Sequence, residues 1–377
     1  MALSLVIYIY VTAAVHCLAG DKKDNPEQPQ ISKRKSLGDT GFLLSEVCAA
    51  RRPKPSLIPS EKTPWCISPR GRSDERHIGK RRKLVPMRFL TNFVNGLGLG
   101  SVYAIIALGY TMVYGIAKML NFAHGDVIMV GAYIAFFALT RFGLPLPLGI
   151  LAAVVCCTVL GVVIERLAYK PLRQASSLSV LITAIGVSYF LQNSAQLLWS
   201  ASPKMFPSII STGSLEFGGL SISYLTLVTI ATCIVVMVCL TLFINRTRTG
   251  SAMRACSEDK GAATLMGINV NKIISITFAI GSGLAAIASV LLCANYPTVT
   301  PTLGSMPGIK AFTAAVFGGI GSIPGALLGG LLLGIIEILS KAYISTNLSD
   351  VIVFGVLIVI LLVKPTGLLG KNIREKV

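Results

Sequence analysis

Asn121, His124 and Asp126 bring an amide, an imidazole and a carboxyl together in the run Asn121-Phe122-Ala123-His124-Gly125-Asp126, between two apolar stretches. Ionisable groups at membrane depth or at a membrane edge are expensive and tend to serve function. Such a turn either lines a path for solute or, more simply, lets Asn121 and Asp126 cap the adjoining helices. Covalent catalysis is not indicated. The chain has three His residues, at 16, 77 and 124, and no Ser/His/Asp or Cys/His arrangement forms around them. Nor do the nine cysteines follow a metal-ligand spacing. Cys156, Cys157, Cys233, Cys239 and Cys293 fall in apolar runs, where a thiol packs as a small hydrophobe. No metal, cofactor or disulfide framework is therefore expected. The chain also lacks the GxxxxGK[ST] pattern that cradles nucleotide phosphates, so nucleotide hydrolysis is not expected of it. Of the remaining acids near apolar runs, Glu165 reads as an interfacial partner of the adjacent Arg166, and Glu337 as an acid able to face a bundle interior.

A second group is defined by backbone rather than side chains. Lys310 to Gly334 reads KAFTAAVFGGIGSIPGALLGGLLLG. Gly318, Gly319, Gly321, Pro324 and Gly325 do not fit one uninterrupted helix without penalty. Broken backbone at membrane depth persists only where protein or a watery cavity satisfies it. Gly318, Gly319, Gly321 and Pro324 therefore join Asn121, His124 and Asp126 as translocation-path candidates. The stretch from Asn95 to Gly131 is also glycine-rich, and a loose pairing of interrupted segments in two halves is a mark of transporters.

The third group lies in Asn245 to Ile273, a polar loop with five Lys or Arg residues against Glu258 and Asp259. Its centre favours helix through Ala252, Met253, Ala255, Ala262, Ala263, Leu265 and Met266, and Gly267 is placed to end it. Either a short helix outside the bilayer offers Ala262, Ala263, Leu265 and Met266 to a partner, or the loop is a solvated connector.

These residues need long apolar elements to hold them. The 377-residue chain is 53% hydrophobic and 13% charged, with a mean hydropathy of +0.72, against about 25% charged residues in ordinary soluble domains. With 36 glycines this predicts an all-α, polytopic transmembrane helical bundle, since small residues let helices approach closely. A barrel is excluded because the apolar runs are long and do not alternate. The net charge of +18 does not point to nucleic acid, because Lys and Arg sit between apolar runs, where they set topology and face the lipid bilayer. At about 20 residues per crossing, the spans are read at 89–116, 126–141, 145–164, 178–199, 222–244, 273–294, 323–340 and 350–363, with a Gly-rich, re-entrant candidate at 305–322. Basic residues place the connector after 164, the loop 245–273 and the C-terminal tail on the inside, and 200–221 outside. The sides close over residues 273–377 only if one late segment is re-entrant or broken.

Residues 1–86 differ from the rest. They hold 8 of the 18 prolines and 16 of the 34 basic residues, and so read as disordered, with a weak apolar segment at 1–20. The side assignments put Phe89 outside, against the basic cluster Lys80-Arg81-Arg82-Lys83 just before it. That conflict favours a permease domain of residues 87–377, read from Met87, with 1–86 a spurious extension; a regulatory or targeting segment is the other reading.

Three stretches taken together, ALGYTMVYGIAKMLNFAHGD, RACSEDKGAATLMGIN and KAFTAAVFGGIGSIPGALLGG, resemble the permease of bacterial branched-chain amino-acid ABC transporters, the LivH-type subunit, from about Met87 to Val377. The resemblance implies an inner-membrane permease without enzyme activity. It would form the translocation path with a second, LivM-type permease, driven by two cytoplasmic ABC ATPases and supplied by a periplasmic amino-acid-binding protein. Glu258, Asp259, Ala262, Ala263, Leu265 and Gly267 are then similar to the ATPase-coupling motif of such importers. The acid sits earlier than in the usual pattern, which puts its own role in doubt but not that of the helix. Permeases of urea or short-amide importers are similar, and an ion-driven secondary transporter is the alternative of another class.

Overall fold

The computed structural model describes residues 74–208, 213–217 and 220–370, and the side chains of most of these from Arg88 onward. The chain divides into two units, Met1–Gly79 and Lys80–Val377. Almost all of the first, with the expected disorder and the weak apolar segment at 1–20, lies outside the described residues.

The protein is an all-α polytopic bundle. Its helices are α1 (Asp74–Ala117), α2 (His124–Thr140), α3 (Leu146–Ile164), α4 (Ser177–Trp199), α5 (Tyr224–Arg246), α6 (Arg248–Glu258), α7 (Lys260–Leu265), α8 (Val270–Asn295), α9 (Ser305–Gly318), α10 (Ile323–Tyr343) and α11 (Ser349–Val363). Among the described residues, six stretches are long and apolar enough to cross a bilayer: Arg88–Ala117, Leu146–Leu172, Ser177–Trp199, Tyr224–Arg246, Val270–Asn295 and Ile323–Tyr343. α2 and α11 are shorter apolar helices. These eight match the eight segments read from hydropathy. The difference is at the start, where α1 already begins at Asp74, within the stretch expected to be disordered.

Short strands occupy the loops. β1 (Lys204–Met205) pairs antiparallel with β4 (Thr298–Val299), and β2 (Ser214–Phe217) with β3 (Leu220–Ser223).

The buried centre is built on α1, α2 and α8. Small residues set how near the helices come. A Cβ at Gly330 or Gly334 would strike the backbone of Ala104 or Gly100, so α1 and α10 meet backbone to backbone. α8 packs on α3 and α2, and α9 on α10. By contrast α4 and α5 keep long apolar faces exposed, among them Leu178, Ile182, Val235 and Leu242. Side chains of this kind on a spanning helix face lipid or another chain.

The ends of the elements fall on two faces. Lys260 of α7 donates to the Ala117 carbonyl at the end of α1, and residues 367–370 pack on the turn between α9 and α10. That face carries the basic connectors. The β1–β4 pair lies at the other, beyond the ends of α4 and α8. Two passes are broken. Residues 118–123 separate α1 from α2, and residues 296–304 separate α8 from α9. The second break leads into the 14-residue α9, about 21 Å long, within the Gly-rich stretch expected to be re-entrant or broken.

Candidate functional site

The polar turn is seated inside the bundle. His124 and Asp126 are each 1% exposed. The α2 N-cap is Ala123, with no side-chain cap bond, so neither Asn121 nor Asp126 caps a helix here. Asn121 Oδ1 accepts the Tyr169 hydroxyl at 2.8 Å, which locks the extended segment to the π-helical turn Glu165–Tyr169. Gln192 Nε2, from α4, donates to Asp126 Oδ1 at 2.9 Å and lies 3.3 Å from both Ser188 Oγ and Ser305 Oγ. His124 sets its ring edge-on to Tyr110 at 4.7 Å, and its Nε2 has no hydrogen-bond partner among the described residues. Gly109 leaves the space for it, since a Cβ there would come within 2.6 Å of Nε2. α2 and α9 begin side by side at this level. A Cβ on Gly304 would collide with the Gly125 carbonyl, so glycine is needed for the two starts to meet.

The glycine-rich run is a tight reversal between helices. α9 ends at Gly318, Gly319 and Gly321 take φ values of +104° and +93°, and Pro324 lies in the first turn of α10. Both φ values lie in the region where L side chains are strained. The C-terminal segment closes over this turn: Leu368 N–H donates to the Phe317 carbonyl at 2.9 Å, and Leu369 N–H to that of Gly318 at 3.0 Å. These otherwise unpaired carbonyls at the helix end are thereby satisfied. A small recess lined by Tyr110, Tyr114, Asn121, Phe312 and Ile320 joins this turn to the polar one.

The loop between α5 and α8 forms two helices rather than one. Asp259 ends α6 and caps α7, its Oδ1 accepting from Gly261 N at 2.7 Å and Ala262 N at 3.1 Å. Gly267 stops α7 with φ +81°. Ala263 is not offered outward as expected: it is 3% exposed and packs into the core, while Leu265 and Met266 are 90% and 82% exposed. The six-residue α7 sets these residues on opposite sides, which composition alone does not resolve. Glu258 and Ala262 are exposed. Lys260 joins α7 to the end of α1, 2.7 Å from the Ala117 carbonyl. Burial first, and then the charges of Lys118 and Arg173, lower its pKa from the usual lysine value.

Two charged clusters were missed or misread in the sequence. Glu165 is fully buried and pairs with Arg173, not with the exposed neighbour Arg166; it also accepts the Ser275 hydroxyl at 2.6 Å. The π-helical turn inserts an extra residue per turn and so changes which basic side chain faces inward. The second cluster joins four helices. Glu337, 1% exposed, binds Lys310 Nζ at 2.9 Å, Lys341 Nζ at 2.6 Å and the Tyr103 hydroxyl at 3.0 Å, and Lys310 reaches Asp350 at 2.7 Å. Glu337 faces the bundle interior, as its place in an apolar run led us to expect, but its partners were not read from the sequence. Lys310 comes from α9.

Residues 92–361 match the family model described as branched-chain amino acid transport system / permease component. The chain is 49% identical over 302 residues to the high-affinity branched-chain amino acid transport system permease protein BraD of Pseudomonas aeruginosa, covering 77% of this chain and 98% of that protein. It is 47% identical over 301 residues to the permease protein LivH of the corresponding Escherichia coli K12 system, with the same coverage. A probable LivH of Methanocaldococcus jannaschii is 29% identical over 291 residues, covering 73% of this chain and 90% of that one. The chain therefore belongs to the family of permease components of branched-chain amino acid transport systems.

Proposed function

We propose that this chain is the LivH-type permease subunit of an ATP-driven importer of leucine, isoleucine and valine in a bacterial inner membrane. The observation that carries the reading is likeness over 98% of the length of relatives named as high-affinity branched-chain amino acid permeases. A second, LivM-type permease completes the path, two cytoplasmic ATPases drive it, and a periplasmic binding protein delivers solute. Residues 87–377 carry this activity.

The coupling element is α7 with Asp259 and Gly267 at its ends. Leu265 and Met266 are the side chains that seat in an ATPase groove, as apolar residues of a docked helix do. Ala263 and Lys260 fix the helix to the bundle, so motion of the ATPase passes to the end of α1. Glu258 lies beside the docking face, and Ala262 on it. Asn121, His124 and Asp126, and the turn at Gly318, Gly319, Gly321 and Pro324, are the parts of the bundle whose breaks let it rearrange around solute.

Expression of the full set of subunits in cells lacking leucine uptake tests the solute. Labelled leucine is expected to accumulate and to be competed by isoleucine and valine but not by urea or acetamide. Competition by urea or acetamide alone would move the chain to the short-amide importers.

A further inference from the structure

α9 is held on two sides by polar bonds of unequal strength. On one side Lys310 pairs with Glu337 of α10 at 2.9 Å and with Asp350 of α11 at 2.7 Å. Lys310 and Glu337 are both buried. Further along, Leu368 and Leu369 of the C-terminal segment bond the carbonyls at the end of α9. On the other side α9 meets α2 and α4 through a single hydroxyl. Gln192 Nε2 of α4 donates to Ser305 Oγ at 3.3 Å, the one hydrogen bond from α9 to α2 or α4 among the described residues. The same nitrogen lies 2.9 Å from Asp126 Oδ1 and 3.3 Å from Ser188 Oγ, and the Ser188 hydroxyl also bonds the Asp126 carboxyl. An amide nitrogen has two hydrogens for these three acceptors, and the carboxyl takes the shortest bond. Glycines let backbones touch on both sides of α9: Gly304 and Gly308 meet Gly125, and Gly318 and Gly329 meet Gly325 and Ala314. Close packing therefore does not distinguish the two sides, and the polar bonds do. Charge-assisted bonds are roughly twice as strong as neutral ones, and parting a buried ion pair strands both charges away from water. Parting from Ser305 strands none.

We propose that the bundle parts along the seam between α9 and the α2–α4 pair, with α9 travelling together with α10 and α11 as one body. Gln192 is the positioning residue of this seam. It closes the resting arrangement by joining the starts of α2 and α9, and its neutral amide releases Ser305 without leaving a charge unpaired on α9. Asp126 keeps Gln192 and Ser188 on its own side as α9 moves away. The weaker set of bonds thus fixes where a rigid-body rearrangement divides the molecule. The inference rests on the proposed transport, which needs the bundle to rearrange.

The test joins helices across and beside the seam in the complete importer, in membrane vesicles, with the nine native cysteines replaced by alanine and uptake by that chain as the reference. Ser188→Cys with Ser305→Cys spans the seam, since both hydroxyls flank the Gln192 amide. Thr313→Cys with Val353→Cys joins α9 to α11 across a recess that both residues line. Each pair is bridged with dibromobimane, which fluoresces once both thiols have reacted. The bridge from 188 to 305 is expected to cut leucine uptake at least about tenfold, and the bridge from 313 to 353 to leave it within about twofold. Uptake that survives the first bridge, or is lost with the second, would overturn the proposal. A second reading does not depend on uptake. N-ethylmaleimide is expected to label Ser305→Cys several-fold faster during ATP turnover than without ATP, with Thr313→Cys little changed. Gln192→Leu is expected to give Ser305→Cys the fast labelling even without ATP, at an unchanged amount of protein in the membrane. Equal labelling of Ser305→Cys with and without ATP would overturn the seam, and slow labelling in Gln192→Leu would remove Gln192 from it. Faster labelling during turnover, with no leucine uptake by the parent chain, would keep the seam and reject the import of leucine instead.

Discussion

Glu337 is the residue whose surroundings are least replaceable. Its carboxylate holds two lysines and a tyrosine hydroxyl from α1, α9 and α10, and Lys310 carries the network on to Asp350 of α11. Removing one member of a buried pair is strongly destabilising, because the remaining charges lose their partner while staying out of water. Glu337→Leu is expected to cost roughly 3–5 kcal/mol, read as a fall in the unfolding temperature of the detergent-solubilised protein, with Glu337→Gln intermediate. A substitution that leaves the unfolding temperature unchanged would show that water reaches the cluster. In the sequence Glu337 was visible as an acid within an apolar run, but its partners were not. Lys310 lies 27 residues away on a helix that the glycine pattern marked as broken. The pairing depends on how α9 leans on α10, and no local pattern encodes that. Asn121 and Asp126 teach the same lesson in reverse. Their residue types suggested caps, and their partners turned out to be Tyr169 and Gln192, both distant in sequence.

Elements were more legible than contacts. The run 273–294 became Val270–Asn295, and the run 323–340 became Ile323–Tyr343, because uninterrupted apolar length states the requirement of a bilayer directly. The stop at Gly267 was legible too, since a left-handed residue at a helix end favours glycine. The break at Asp259 was not, because the same aspartate is tolerated within a helix and becomes a cap only once the chain turns there. Gly267→Val is the sharpest test at this scale. With open space around it, the substitution acts through backbone strain alone, about 1–2 kcal/mol for a left-handed L residue. Uptake is expected to fall severalfold while the protein still inserts, as judged by its amount in washed membranes, with Gly267→Asn milder. Normal uptake by Gly267→Val would remove the end of α7 from any part in coupling.

For the whole molecule, the breaks at 118–123 and 296–304 matter more than the number of spans, since they set α2 and α9 beginning at one level and running to opposite faces. Composition showed a polytopic bundle, but this crossing needed coordinates, because glycine tells where backbones are able to meet and not which ones do. Protein expressed from Met87 is expected to restore leucine uptake as fully as the complete chain, in a complementation assay with matched membrane levels; a clear deficit would assign residues 1–86 a part in transport.

The central claim is that the bundle moves solute only when other subunits hydrolyse ATP. Its most direct measurement is leucine accumulation in vesicles holding this chain and its second permease, with binding protein and ATP, in the presence and absence of the two ATPases. Accumulation is expected only when the ATPases are present. Leucine concentrated against its gradient in their absence, with or without an imposed ion gradient, would contradict the claim.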